Sequence, residues 1–130
     1  MTDIVIGDSS SEPQRRRQPS VEAIVGREAA RLVRDLNRQL GRWQALSVKL
    51  HTMAGRLKAK RRADPSVVEE AQALFNLVSA EAERFESLVR EQSSAVARHG
   101  RIGDTRRSFE MVTDRLRAAL DLLGVASKVE

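Results

Sequence analysis

Few residues of this chain could carry out chemistry. It has two histidines, His51 and His99, and no cysteine. Without thiols there is no disulfide framework, no thiol nucleophile and no cysteine-based zinc site. The residues three before the histidines are Val48 and Val96, so no Glu-x-x-His di-iron pattern occurs. His-Glu-x-x-His, Gly-x-Ser-x-Gly and a glycine-rich phosphate loop are also missing from the sequence. The acids Glu69-Glu70 and Glu81, Glu83, Glu86 read as a solvated helix face. The expectation is a protein that is not an enzyme, with no catalytic residues, no cofactor, no metal and no small-molecule ligand.

The charged residues are more informative. Lys+Arg 23 against Asp+Glu 18 leaves a net charge of +5. That charge is unevenly spread. Residues 20–62 hold 11 basic and 3 acidic side chains, and residues 63–99 hold 3 basic and 7 acidic ones. A basic segment beside an acidic one favours antiparallel pairing between them. Arg56, Lys58, Lys60, Arg61 and Arg62 crowd five cations into seven residues. Cations suit the negative end of a helix dipole, but five exceed what one helix end needs. They read as a contact for phosphate or for an acidic partner, joined by Arg15, Arg16 and Arg17 near the N-terminus. No helix-turn-helix, zinc-finger or RNA-binding signature accompanies them. Aromatics are only 3% of the chain, too few to interleave as base-stacking platforms. Nucleic acid, if bound, is held through its backbone.

Two resemblances attach to particular features. Leu50-His51-Thr52-Met53-Ala54-Gly55 resembles the histidine-phosphotransfer motif, His-x-x-Lys-Gly on a helix of a four-helix bundle. The resemblance covers six residues and implies a phosphoryl-accepting His51 with Gly55 making room for a partner. Ala54 stands where that family has Lys. The size and all-helical form are similar to small secretion chaperones and export adaptors of bacterial flagellar or type III systems. That second likeness is one of architecture, and no motif transfers a site from it.

The elements that position these residues follow from periodicity and punctuation. Residues 1–19 hold Pro13, Pro19, Ser9-Ser10-Ser11 and little apolar content beyond Ile4-Val5-Ile6, so they read as a disordered tail. That apolar start is too short and lacks the basic lead of a secretory signal. No apolar run approaches a membrane span. Location in the cytoplasm is the resulting expectation.

From Ser20, a good N-cap, an apolar stripe runs Val25, Ala29, Leu32, Leu36, Leu40, Trp43, Leu46, Leu50, Met53, Leu57. Its mean step of about 3.6 residues predicts a helix over 20–62. Gly41 marks the place where a bend would fall. Asp64-Pro65-Ser66 signals a restart, and Ser66-x-x-Glu69 reads as a capping box. A heptad seam of Ala71, Phe75, Val78, Ala82, Phe85, Val89, Gln92 and Val96 predicts a second helix over 65–99, with Gly100 at its C-cap. Asp104 caps a third helix over 104–123, which Gly124 ends, leaving 125–130 as a short tail. The fold class is therefore all-α. The architecture is an antiparallel three-helix bundle, or a long α-hairpin with a shorter third helix, over residues 20–124.

These lengths correspond to roughly 63, 50 and 30 Å. A third helix that begins beside the start of helix one reaches only to about Gly41. The far end of the hairpin is then two helices thick. Trp43, Leu46, Leu50, Met53, Leu57, Leu74, Phe75 and Val78 become a half-wet apolar surface on which a second copy or another protein could dock. If helix one instead folds back at Gly41, the same residues are ordinary core. The function expected is a protein–protein interaction module, as adaptor, export chaperone or regulator. The alternative is a basic nucleic-acid-binding accessory protein, and a more remote one is phosphotransfer through His51.

Overall fold

The computed structural model describes residues 20–125. They form four helices: α1 (Val21–Ala59), α2 (Pro65–Arg90), the single turn α3 (Ser94–Ala97) and α4 (Gly100–Leu122). The described residues contain no strand. The expected tail at 1–19, with Arg15, Arg16 and Arg17, and all but Val125 of the expected tail at 125–130 lie outside the described residues.

The helix starts follow the punctuation. The Ser20 hydroxyl accepts from the Ala23 N–H at 3.0 Å. Asp64 accepts from the Ser66 N–H at 3.1 Å, and Pro65 opens α2. The Ser66 hydroxyl does not close a box with Glu69; it donates to the same Asp64 oxygen at 2.7 Å. The exits of α1 and α4 are Schellman turns. At the first, Arg62 N–H donates to Leu57 O and Arg61 N–H to Lys58 O, with Arg61 at φ 54°. At the second, Val125 N–H donates to Leu120 O and Gly124 N–H to Asp121 O, with Gly124 at φ 80°.

One open alternative is decided, and two expectations about the elements are corrected. Helix α1 runs unbroken through Gly41, whose position has open space around it. The second helix ends at Arg90 instead of continuing to residue 99. Ser93 restarts the chain there by accepting from the Val96 N–H at 3.3 Å. The third helix starts at Gly100, not Asp104. His99 is its cap, with Nδ1 accepting from the Arg101 N–H at 3.1 Å.

The early end of α2 changes the packing. Its 26 residues extend about 39 Å back along α1, which is 39 residues or about 58 Å long. Helix α4 therefore starts part-way along α1 and runs parallel to it for about 34 Å, reaching the α1–α2 turn. His99 lies against Gly26 at one end, and Leu122 and Leu123 stand with Leu57, Pro65 and Val68 at the other. The result is an up-down-up three-helix bundle.

Helix α4 packs most closely on α1, then on α2, while α1 and α2 approach each other least. Small side chains allow the close pair. Val33, Leu40, Ser47 and Ala54 follow at seven-residue intervals on α1, all buried, with Ala29, Trp43 and Leu50 interleaved. Helix α4 answers with Ile102, Thr105, Phe109, Val112, Leu116 and Ala119 at alternating steps of three and four. Each fully buried Leu, Ile or Phe among them is worth about 1.5–3 kcal/mol of transfer free energy. Ser47 is completely buried and satisfies its hydroxyl by donating to Gln44 O at 2.8 Å.

Candidate functional site

The apolar residues expected at a two-helix tip do not stay together on one surface. Trp43 is 8% exposed, and its ring centroid lies 6.4 Å from that of Phe109. Leu50, Leu74 and Val78 are buried. Phe75 is half-buried beneath the Arg117 guanidinium, 5.4 Å from the ring centroid. Met53 and Leu57 are half-buried, and Leu57 lines a hollow closed by Leu122 and Leu123 of α4. The premise that the third helix stops near Gly41 is thus corrected, and most of that stripe is core. Leu46 alone of the eight remains classed as exposed, at 39%.

Leu46 nevertheless belongs to an apolar groove. With Leu77, Leu50, Leu74, Ala73 and Glu70 it lines a hollow of about 250 Å³ between α1 and α2, on the side away from α4. Leu50 and Leu74 make its floor, and Leu46 and Leu77 its exposed rims. The groove exists because α4 is wedged between the other two helices on one side and holds them apart on the other.

Other exposed apolar residues share these sides of the helices, although exposed Glu28, Asp35, Gln39 and Arg42 separate those on α1 from the groove. Val21 and Ile24 precede Leu46 by about seven and six helical turns, so the three share a side of α1. Leu88 follows Leu77 by about three turns on α2. All five are exposed, and among the described residues only Val48 and Met111 are other large apolar side chains with comparable exposure.

The rims carry opposite charge. Arg42 and Lys49 lie one turn either side of Leu46, and both are exposed. Glu70 lines the opposite wall, and Glu81, one turn after Leu77, is held 3.7 Å from Arg84. A helix laid in this groove would meet cations along one edge and carboxylates along the other.

The basic cluster at the end of α1 is divided by the turn. Arg56, Lys58, Lys60, Arg61 and Arg62 are all exposed. Arg56 and Lys60 are one turn apart on the outer side of α1, whereas Lys58 lies about half a turn away. Lys58 and Arg62 border the hollow beside Leu122, and Arg61 takes the left-handed turn position. These five cations do not converge on a single point.

His51 is half-buried on the flank of α1. Ala54, at the position where phosphotransfer proteins have Lys, is completely buried in the core. His99 has a structural task that sequence reasoning did not assign, the cap of α4. No group of His, Cys, Asp and Glu suited to a metal ion occurs among the described residues. No helix among them is long and apolar enough to cross a membrane.

Two polar ties fix α4 in place. Thr105, buried, donates to Asn37 Oδ1 at 2.9 Å. Arg106 forms a two-pronged pair with Glu86, Nε to Oε2 at 2.7 Å and Nη2 to Oε1 at 2.9 Å. That hydrogen-bonded guanidinium holds the Glu86 carboxyl below its usual range, against a smaller opposing effect of burial. Comparison with known proteins finds no matching family model, no matching curated protein and no matching solved structure.

Proposed function

We propose that this chain is a small, non-catalytic, cytoplasmic helical module for protein–protein contact, an adaptor, export chaperone or regulator. Its contact surface is the α1–α2 groove. The observation that supports this is the pair of exposed rims, Leu46 and Leu77, standing over the buried Leu50 and Leu74 floor between α1 and α2. Contiguous apolar surface rimmed by charge is characteristic of docking sites. The occupant is an amphipathic helix, acidic along the edge that meets Arg42 and Lys49 and basic along the edge that meets Glu70 and Glu81. It would complete a four-helix bundle.

A photo-crosslinking side chain at position 77, compared with one at Arg107 on the outer side of α4, tests this in cells. Crosslinking from position 77 to one defined helical protein or to a second copy, abolished by Leu46→Glu, is the expected result. Equal crosslinking from both positions, or none from position 77, overturns it.

A further inference from the structure

We infer that the outer face of α1 is a second binding surface, a straight ridge for the phosphate backbone of duplex nucleic acid. Arg27, Arg31, Arg34, Arg38 and Arg42 follow one another at steps of three and four. Lys49, Arg56 and Lys60 continue the same line at steps of seven, seven and four. The span from Arg27 to Lys60 is about nine helical turns, so these cations occupy one side of the rod over about 50 Å. All eight are exposed.

Few of these charges are used within the fold. Arg31 meets Glu28 at 3.6 Å and Arg38 meets Asp35 at 4.0 Å, with both pairs open to water. Such pairs hold their partners weakly. The other six make no ion pair among the described residues. At one end the ridge broadens into a hollow of about 530 Å³, where Arg27, Arg31 and Arg34 are joined by Arg101 from α4, with Asn37 beside them.

The chemistry of the ridge selects among anions. Seven of these nine cations on α1 and α4 are arginines, whose planar guanidinium suits phosphate oxygens. No aromatic side chain lies on this line, so an unpaired base has nothing to stack on. Exposed Ala45 and Thr52 lie on the line itself, and the exposed apolar Leu46 and Val48 flank it on opposite sides, so no continuous apolar face runs beside the cations to enter a lipid surface. What remains is a rigid row of charge facing a rigid row of charge, a duplex backbone with one phosphate per about 1.7 Å. The ridge shares Arg42 and Lys49 with one rim of the groove, so its test uses Arg27, Arg34 and Arg56, which lie outside the groove lining, and either surface can fail without the other.

The test is fluorescence anisotropy on the full chain with 20-base-pair DNA and RNA duplexes in separate arms. Wild type is expected to bind at about 50 mM salt and to weaken about a thousandfold by about 200 mM. The triple variant Arg27→Glu, Arg34→Glu, Arg56→Glu is expected to weaken binding at least tenfold at low salt. These positions leave the groove rims intact. A charge-matched control, Arg84→Glu, Arg90→Glu, Arg107→Glu, is expected to bind within about threefold of wild type. The corresponding triple Gln variants repeat the comparison without charge reversal, should the Glu variants fail to fold. No binding at low salt overturns the inference, as does equal weakening in ridge and control variants. Equal, ridge-dependent affinity for phosphatidylserine vesicles or for a single strand also overturns it.

Discussion

The Trp43 indole and the Phe109 ring sit 6.4 Å apart, centroid to centroid, tilted by 41°. Phe109 in turn lies 5.7 Å from Phe85. The three rings link α1, α4 and α2 across the middle of the bundle. Trp43 is therefore a core residue, and Trp43→Ala is expected to cost about 3–5 kcal/mol in chemical denaturation. The emission of this single tryptophan should be blue-shifted in the native state and move to the red in the same transition. Unfolding midpoints unchanged in Trp43→Ala would contradict this packing.

Rim and floor of the groove should respond differently. Leu46→Ala and Leu77→Ala are expected to change stability by about 1 kcal/mol or less, since both side chains are already partly in water. Leu50→Ala, beneath them, is expected to cost about 2–5 kcal/mol. Urea denaturation of the three variants checks the order.

Arg61 occupies a left-handed backbone position that glycine takes at the equivalent point of the second Schellman turn. Arg61→Gly is expected to stabilise the fold by up to about 1 kcal/mol, because the side-chain clash outweighs the added freedom of the unfolded chain. Gly124→Ala, at φ 80°, should destabilise by a similar amount. Thermal melts showing both changes in the same direction would refute this reading of the turns.

The Glu86–Arg106 pair gives a pH signature. Its folded carboxyl is held below the ordinary value of 4.5, so its stabilising effect is present above that value and is lost as pH falls through the lowered one. Both side chains are about two-fifths exposed, which limits the effect to under about 1 kcal/mol. Glu86→Gln should accordingly be slightly less stable than wild type at pH 7. The difference should close in acid, as followed by denaturation at pH 7, 4 and 3.

The fold class, the two long-helix starts and Gly124 as a stop were legible because each rests on local chemistry: a cap, a proline, a glycine. The rotation of α1 was not. Counting large apolar residues drew the stripe through Leu46 and Met53 and passed over Ser47 and Ala54, whereas those two buried residues mark the line where α4 comes closest. A close helix pair is signalled by small residues at seven-residue spacing, a weaker pattern than a row of leucines. The break after Arg90 was hidden for a related reason. No proline or glycine announces it, and only the hydroxyl of Ser93 does. Missing that break put α4 too far from the turn and made core residues look like an open tip. The groove itself follows from three-dimensional spacing between α1 and α2, to which no local pattern refers.

The up-down-up course has a mechanical consequence. Ser20 lies at the end of the bundle away from the α1–α2 turn, and Val125 lies beside that turn. A force applied between these two points acts along the helix axes and loads the α1–α4 seam in shear, so its layers must slip together instead of peeling apart one turn at a time. The same polarity lets copies be joined head to tail as a linear string, with every groove reached from the side and none blocked by a junction.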